Sequence, residues 1–276
     1  MKKTLAAAAL LGLFFLPAAA HAQESVSLDP EFGGRLAFQL DKKLARGLHI
    51  NLEEEARMDG NFSSFNRLHT TLALNYKVGN GLKLGIGYAM INPYSSNKGQ
   101  FKNARHRAMV DAKWTLHSGD WQFSVKERLQ ATFRTGDFNA WQHAQPELAL
   151  KSRLMVKYKG LRRVAPYGYL ELRNTLNAPS IAASYNGTQW LNEDNLQEGD
   201  EGWFVSGWNK VYINRLRGSI GVDWRLDKRS TLNLYLLADW VNDYVVDANS
   251  AGTVLKEYTH ETGFVGQIGV QYTYAF

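Results

Sequence analysis

The chain has 276 residues, a formal charge of +6 and no cysteine, with 12% aromatic and 21% charged residues. These values exclude a disulfide-stapled mini-domain, a thiolate metal site and an intrinsically disordered chain. With 24 glycines, 8 tryptophans and 13 tyrosines against 6 prolines, they favour a β-rich protein whose amphipathic rings sit where apolar and wet regions meet.

Lys2 and Lys3 precede an apolar run from Leu5 to Leu16, and Pro17 and the small-residue site Ala20-His21-Ala22 follow it. The pattern predicts a signal peptide over residues 1–22, cleaved after Ala22, and a single barrel domain over 23–276. The run falls short of the ~20 residues a spanning helix needs, and no cysteine follows it for a lipid anchor. The mild basic excess does not point to nucleic acid.

After the signal, polar residues interrupt the apolar ones at nearly every second position. Leu82, Leu84, Ile86, Tyr88 and Met90 share one face, and Lys83, Gly85, Gly87 and Ala89 the other. Period two means a strand. The preceding segment repeats it, with Leu72, Leu74, Tyr76 and Val78 against Thr71, Asn75 and Lys77, and Gly79-Asn80-Gly81 joins the two as a hairpin. The same unit predicts strands near 32–40, 47–58, 65–78, 81–92, 103–117, 121–134, 148–159, 163–176, 208–226, 230–243 and 258–276. Short turns near 41–47, 79–81, 117–120, 159–163 and 227–230 alternate with longer polar connections near 59–64, 92–102, 135–147, 177–207 and 243–257. That alternation is the signature of an antiparallel up-and-down transmembrane barrel. Such barrels usually have an even strand number, so residues 24–29 are expected to add a rising strand, giving about twelve; ten is the alternative.

A soluble lipocalin-like barrel has the same periodicity with its faces exchanged, and the chain's end argues against it. Phe264, Ile268, Val270, Tyr272, Tyr274 and Phe276 share a face, and the sequence finishes in YTYAF. Tyr272, Tyr274 and Phe276 resemble the terminal signature of bacterial outer-membrane proteins that the barrel-assembly machinery recognises. Tyr76, Trp114, Trp121, Tyr158 and Trp224 fall near short turns, whereas Tyr88, Phe133, Trp240 and Phe264 fall toward the other end, as two interfacial girdles would. The expected address is the outer membrane of a Gram-negative bacterium, in contact with its lipids and lipopolysaccharide. The stretches LDKKLARGLHINLEEEAR, LNYKVGNGLKLGIGY, ARHR and RLRGSIGVDWRLDKRSTLNLYLL resemble a family of small, uncharacterised bacterial outer-membrane barrels carrying a domain-of-unknown-function label. The resemblance implies fold and address; it supplies no catalytic residues.

Function is therefore sought on the inward face. Alternate positions give basic Arg35, Arg57, Arg67, Lys77, Lys83, Arg105, Arg107, Lys113, Lys126, Arg128, Arg134, Lys151, Arg153, Lys157, Arg173, Arg215, Arg217 and Arg225, against acidic Glu53, Glu55, Asp111, Glu171, Asp223, Asp239 and Glu261. A low-dielectric wall focuses such an excess, so a wet lumen favours anions. The reading is a narrow anion-favouring pore or a binder of anionic solutes. The competing reading is a closed structural or accessory barrel whose interior is a paired polar core and whose loop 177–207 docks a surface protein through Tyr185, Trp190, Trp203 and Phe204, with Trp208 beside them.

A lipid-modifying enzyme is a minor alternative. His106 and His260 have lipid-facing parity, but neither sits in a recognisable serine motif. Glu54 and Glu127 share that costly parity, which a β-bulge or strands rising above the membrane would explain. No metal or cofactor motif is present; the acidic run NEDNLQEGDE lacks the glycine register of a calcium loop.

Overall fold

A computed structural model describes residues 25–136, 138–182, 184–185, 190–191, 204–249, 251 and 255–276. The expected signal peptide, Trp203 and the acidic run 192–201 lie outside the described residues. Eleven strands form the wall: β1 Glu31–Ala45, β2 Leu48–Asp59, β3 Ser64–Gly79, β4 Leu82–Ser95, β5 Arg105–Ser118, β6 Trp121–Arg134, β7 Glu147–Tyr158, β8 Val164–Ala182, β9 Phe204–Arg225, β10 Ser230–Ala248 and β11 Leu255–Ala275. Each pairs antiparallel with the next, and β11 closes on β1.

An odd number of alternating strands leaves the first and last pointing the same way. β1 and β11 accordingly pair in parallel, from Glu31 beside Val265 to Asp41 beside Ala275. This corrects the expected count of about twelve. Ser25–Ser27 is a strand, but it also pairs in parallel with β11, at His260 to Thr262, and so continues the line of β1 upward. A separate rising strand there would have to pair antiparallel.

One end of the barrel carries the short turns and the carboxyl terminus, and the other carries the connections 60–63, 96–104, 135–146, 183–203 and 249–254. The turns have local causes. Asn80 and Gly81 take positive φ (48° and 83°), as the tight β3–β4 hairpin requires, and a Cβ on Gly81 would run into the Thr115 carbonyl. In the β9–β10 turn, the Asp227 carboxylate accepts the N–H groups of Arg229 (2.6 Å) and Ser230 (2.8 Å), which holds its carboxyl below the usual range.

The polarity of the wall decides between the two barrel readings. Leu36 and Ile220 are each 65% exposed on the outside, in a band with Leu72, Ile86, Val110, Leu129 and Ile268. Inside, Asp239 is only 2% exposed. Apolar outside and charged inside is the arrangement for lipid, and a soluble barrel reverses it. Tyr76, Trp121, Trp224 and Phe276 are exposed toward the short-turn end, and Tyr88, Phe133, Trp240 and Phe264 toward the other, so both girdles lie on the outer wall. At the chain's end Tyr272 stacks on Phe38 (5.8 Å between centroids) and Tyr274 on Phe276 (6.0 Å), while the Phe276 N–H bonds to the Asp41 carbonyl (2.9 Å).

Because the chain has no cysteine, the closure is directly testable. Gln39 and Thr273 are register partners across the parallel seam, 3.3 Å apart at their side-chain oxygens. Mild oxidation of the Gln39→Cys/Thr273→Cys double variant is expected to give an intramolecular disulfide, read as a shift in denaturing gel mobility that reductant reverses. A chain that stays open under these conditions would contradict the seam.

Candidate functional site

The inner wall holds four central carboxylates, each shared between two cations. Glu55 lies 2.5 Å from Arg57 and 3.9 Å from Arg35. Asp111 takes Arg128 at 2.6 Å and Lys126 at 2.9 Å. Glu171 takes Arg153 at 2.5 Å and Arg217 at 3.6 Å. Asp239 takes two hydrogen bonds from Arg217 (2.7 and 2.8 Å) and lies 3.4 Å from Arg215. Arg217 thus links β8 to β10, and Arg35 reaches over the seam to Gln267 (2.5 Å). The ladders set this up, since Arg153 faces Glu171, Glu171 faces Arg217 and Arg217 faces Asp239 on successive strands. Arg35, Glu55, Glu171, Arg217 and Asp239 are all buried, so the groups pack against one another as a layer of ion pairs in mid-barrel.

Toward the long-connection end lies a cavity of about 410 Å³. Arg57, Arg67, Arg105, Arg107, Arg134, Lys151, Arg173, Arg215 and Arg217 line it, against the carboxylates Glu147, Glu171 and Asp243. All three acids are engaged: Glu147 by Arg134 (2.7 Å), Glu171 as above, and Asp243 by the Tyr212 hydroxyl, which donates to it at 2.5 Å. Arg67 donates to Asn66 and Arg107 to the Thr132 hydroxyl (3.0 Å). Among the described residues, Arg67, Arg107, Lys151 and Arg173 have no carboxylate within ion-pair distance. The same wall holds buried polar atoms without a partner among those residues: His69 Nε2, Gln130 Oε1, Asn214 Oδ1 and Arg215 Nε.

The connection 135–146 roofs this cavity. Asn139 of that segment donates to the Ala248 carbonyl (3.1 Å) at the end of β10, four strands round the barrel from β6 where the segment begins, so the segment crosses the mouth. Its Gln142, His143 and Ala144 line the cavity. The larger concavity of about 930 Å³ is an apolar groove of the outer wall, where Gly168, Gly218 and Ala238 stand among Leu154, Leu170 and Ile220.

The sequence-predicted lumen residues separate into three groups. Arg57, Arg67, Arg105, Arg107, Lys151, Arg173, Arg215 and Arg217 come together around the cavity. Lys126, Arg128 and Arg153 join the ion-pair layer with Glu55, Asp111, Glu171 and Asp239. Lys83, Lys113 and Arg225 stand apart in the short-turn half, where Lys157 pairs with Asp223 and Glu53 accepts from Gln271 (2.8 Å). Sequence reasoning missed Gln130, Thr132, Asn214 and Tyr212. The first two have inward parity and were legible. Asn214 was not, because a register shift between Arg173 and Asn174 makes it the extra residue opposite that step.

Some expectations are corrected. The connection 177–207 is shorter than expected, because β8 runs to Ala182 and β9 begins at Phe204. Phe204 therefore belongs to a strand, and Trp208, expected at the start of that strand, lines the cavity; Tyr185 and Trp190 are register partners in a short two-stranded pairing. Glu54 and Glu127 do not owe their parity to bulges: the ladders run through both without a register shift, and each is the seventh residue of its strand, well within the wall. Each instead accepts a hydrogen bond from a hydroxyl of the next strand, Glu54 from Thr70 (3.0 Å) and Glu127 from Ser152 (2.5 Å), and Glu127 Oε1 has no partner among the described residues. His106 bonds to the Tyr88 hydroxyl (2.5 Å) and His260 to Asn242; among the described residues neither ring is hydrogen-bonded to a serine. No cluster of three or more histidines or carboxylates among those residues is placed to hold a metal.

Two stability predictions follow from this geometry. Asp239→Leu takes from buried Arg217 both of its short hydrogen bonds, leaving it only Glu171 at 3.6 Å, and takes from Arg215 its carboxylate, and is expected to cost roughly 3–5 kcal/mol, whereas Arg217→Met/Asp239→Leu recovers most of the loss; equilibrium unfolding in urea measures both. Glu127→Leu removes a carboxyl from the lipid-facing wall and is expected to stabilise the barrel by on the order of 1 kcal/mol in the same assay, a loss of stability being the contrary result.

No curated protein matches the chain. Among solved structures it is similar to "Outer-membrane expressed OmpT of Vibrio cholerae", with 8% identity, a TM-score of 0.32 and 78% of this chain covered. The chain spans 61% of the length of that protein. The family described as "Protein of unknown function (DUF2490)" matches residues 35–190, which run from β1 through β8, and the chain belongs to that family.

Proposed function

We propose that this is an outer-membrane barrel of a Gram-negative bacterium that takes anionic solutes into the long-connection half of its lumen and holds them there. The observation that carries the reading is the roofed cavity whose Arg67, Arg107, Lys151 and Arg173 lack carboxylate partners, above a layer in which every central carboxylate already has two cations. Four basic side chains without a carboxylate within ion-pair distance, inside a low-dielectric wall, attract anions and repel cations. The outward apolar band and the two aromatic girdles support the membrane address, and the amino-terminal pattern of residues 1–22 supports export.

The ion-pair layer favours a second reading, in which the barrel is closed in mid-wall and acts as a structural or accessory protein. Conductance separates the two. Purified barrel in a planar bilayer under a salt gradient is expected to give small steps with an anion-selective reversal potential. The variant Arg107→Glu/Arg173→Glu is expected to move that potential toward cation selectivity. Arg107 and Arg173 suit the exchange because, unlike Arg215 and Arg217, they hold no buried carboxylate in place. A silent bilayer from barrel that migrates as folded supports the closed reading.

A further inference from the structure

The reading of the lumen as an anion site can be carried to a ligand class, and the following rests on that reading. We propose that the cavity binds a phosphorylated sugar, its phosphoryl group held by Arg67, Arg107, Lys151 and Arg173 and its hydroxyls by Gln130 and Asn214.

Charge comes first. Arg107 stands within electrostatic reach of Arg173, Arg57, Arg128 and Arg67. Like charges in so small a volume repel one another, and a single carboxylate neutralises only one of them. A phosphate monoester carries close to two negative charges at neutral pH and presents three strong acceptor oxygens. Three of the four uncompensated cations are arginines, whose planar forks match phosphoryl oxygens in pairs.

The orphaned polar atoms carry the second half of the argument. Gln130 and Asn214 are each only 2% exposed, and their amide oxygens accept no hydrogen bond among the described residues. An acceptor buried in that way is costly until a donor arrives. The inorganic phosphate dianion keeps a single hydroxyl proton, enough for at most one of the two amides, so it satisfies the guanidinium groups and leaves the other amide unmet. Sugar hydroxyls both donate and accept. They fit Gln130 Oε1 and Asn214 Oδ1 and also the unpartnered His69 Nε2. The cavity, about 410 Å³, lies within the range of small-ligand pockets and takes a single sugar ring with its phosphate. Trp208 on the lining offers the ring an apolar face and the experimenter an optical signal.

The test is a binding series on the full mature barrel in detergent, stripped of lipopolysaccharide, read by calorimetry and by tryptophan fluorescence. The probes are glucose 6-phosphate, glucose, inorganic phosphate and chloride. Glucose 6-phosphate is expected to bind at least tenfold more tightly than glucose and severalfold more tightly than inorganic phosphate. Arg107→Gln/Arg173→Gln is expected to weaken it tenfold or more, with heat-modifiable gel migration confirming the fold. Gln130→Leu is expected to erase the preference for glucose 6-phosphate over inorganic phosphate while leaving phosphate binding intact, a pattern that mere misfolding does not produce. Glucose and glucose 6-phosphate binding equally, or inorganic phosphate binding as tightly as glucose 6-phosphate, overturns the proposal.

The same phosphorylated sugar chemistry also occurs in the headgroup of lipopolysaccharide. Adding lipopolysaccharide to the stripped barrel, intact or dephosphorylated, identifies the source: displacement of glucose 6-phosphate by the intact form alone assigns the site to the lipid headgroup, and displacement by neither assigns it to a free solute. Anion-selective conductance without glucose 6-phosphate binding removes the ligand class and leaves the anion reading standing. Absence of both removes the two together.

Discussion

Placing charges inside a wall that faces lipid sets one condition on the mid-barrel layer: its carboxylates are compensated by cations, whereas Glu53 and Asp243 on either side of it accept from Gln271 and Tyr212. Glu55, Asp111, Glu171 and Asp239 all obey it by taking two cations each. Coulomb attraction in a low dielectric offsets desolvation only when geometry and hydrogen bonding are both good. The paired hydrogen bonds of Arg128 to Asp111 and of Arg217 to Asp239 meet that condition. For Asp111, Glu171 and Asp239 the antiparallel register sets opposite charges beside each other on neighbouring strands, and Glu55 takes Arg57 two residues along its own strand, so no side chain has to cross the lumen to find its partner.

Saturating the carboxylates with cations has a consequence for the rest of the lumen. Basic residues outnumber acidic ones on the inner face, and the central layer uses all its acids, so the surplus is displaced along the axis. In the short-turn half Lys157 meets Asp223, and Lys83 stands within electrostatic reach of Asp41 and Asp111. In the long-connection half the surplus meets Asp243, already bonded to Tyr212, and Glu147, already bonded to Arg134. The uncompensated charge therefore accumulates under the connection 135–146, whose Asn139 anchors it to the far rim. Position of surplus charge and position of the roof coincide, and together they define the site.

The strand plan was legible because alternation survives wherever one face meets lipid and the other meets water. β6 occupies 121–134 as expected, and the tight turn at Gly79 to Gly81 falls where its glycines put it. The reading failed where the wall leaves the membrane. There both faces are wet, the period-two contrast fades, and the upper parts of β8 and β9, including Phe204, read as loop. The strand count failed for a related reason: Ser25–Ser27 has strand character but no local signal that says with which neighbour, or in which direction, it pairs. For the site, parity found the arginines but not which of them would go unpaired. That depends on register across strands and on a loop contact between Asn139 and Ala248, neither of which leaves a mark in the local sequence.

Glu54 and Glu127 show what partner chemistry adds to parity. Inside the barrel, each central carboxylate is met by guanidinium or ammonium groups. On the outer wall these two are met by a threonine and a serine hydroxyl, on the adjacent strand in each case, and among the described residues by no cation. A cation beside them would bring a second charge toward hydrocarbon, whereas a hydroxyl satisfies one oxygen and brings none. The register supplies it, since Thr70 is the partner of Glu54 and Ser152 that of Glu127. An acidic residue with lipid-facing parity and a register-paired hydroxyl is therefore a consistent outer-wall arrangement, and the type of partner identifies the face on which a charged residue stands where alternation alone is ambiguous.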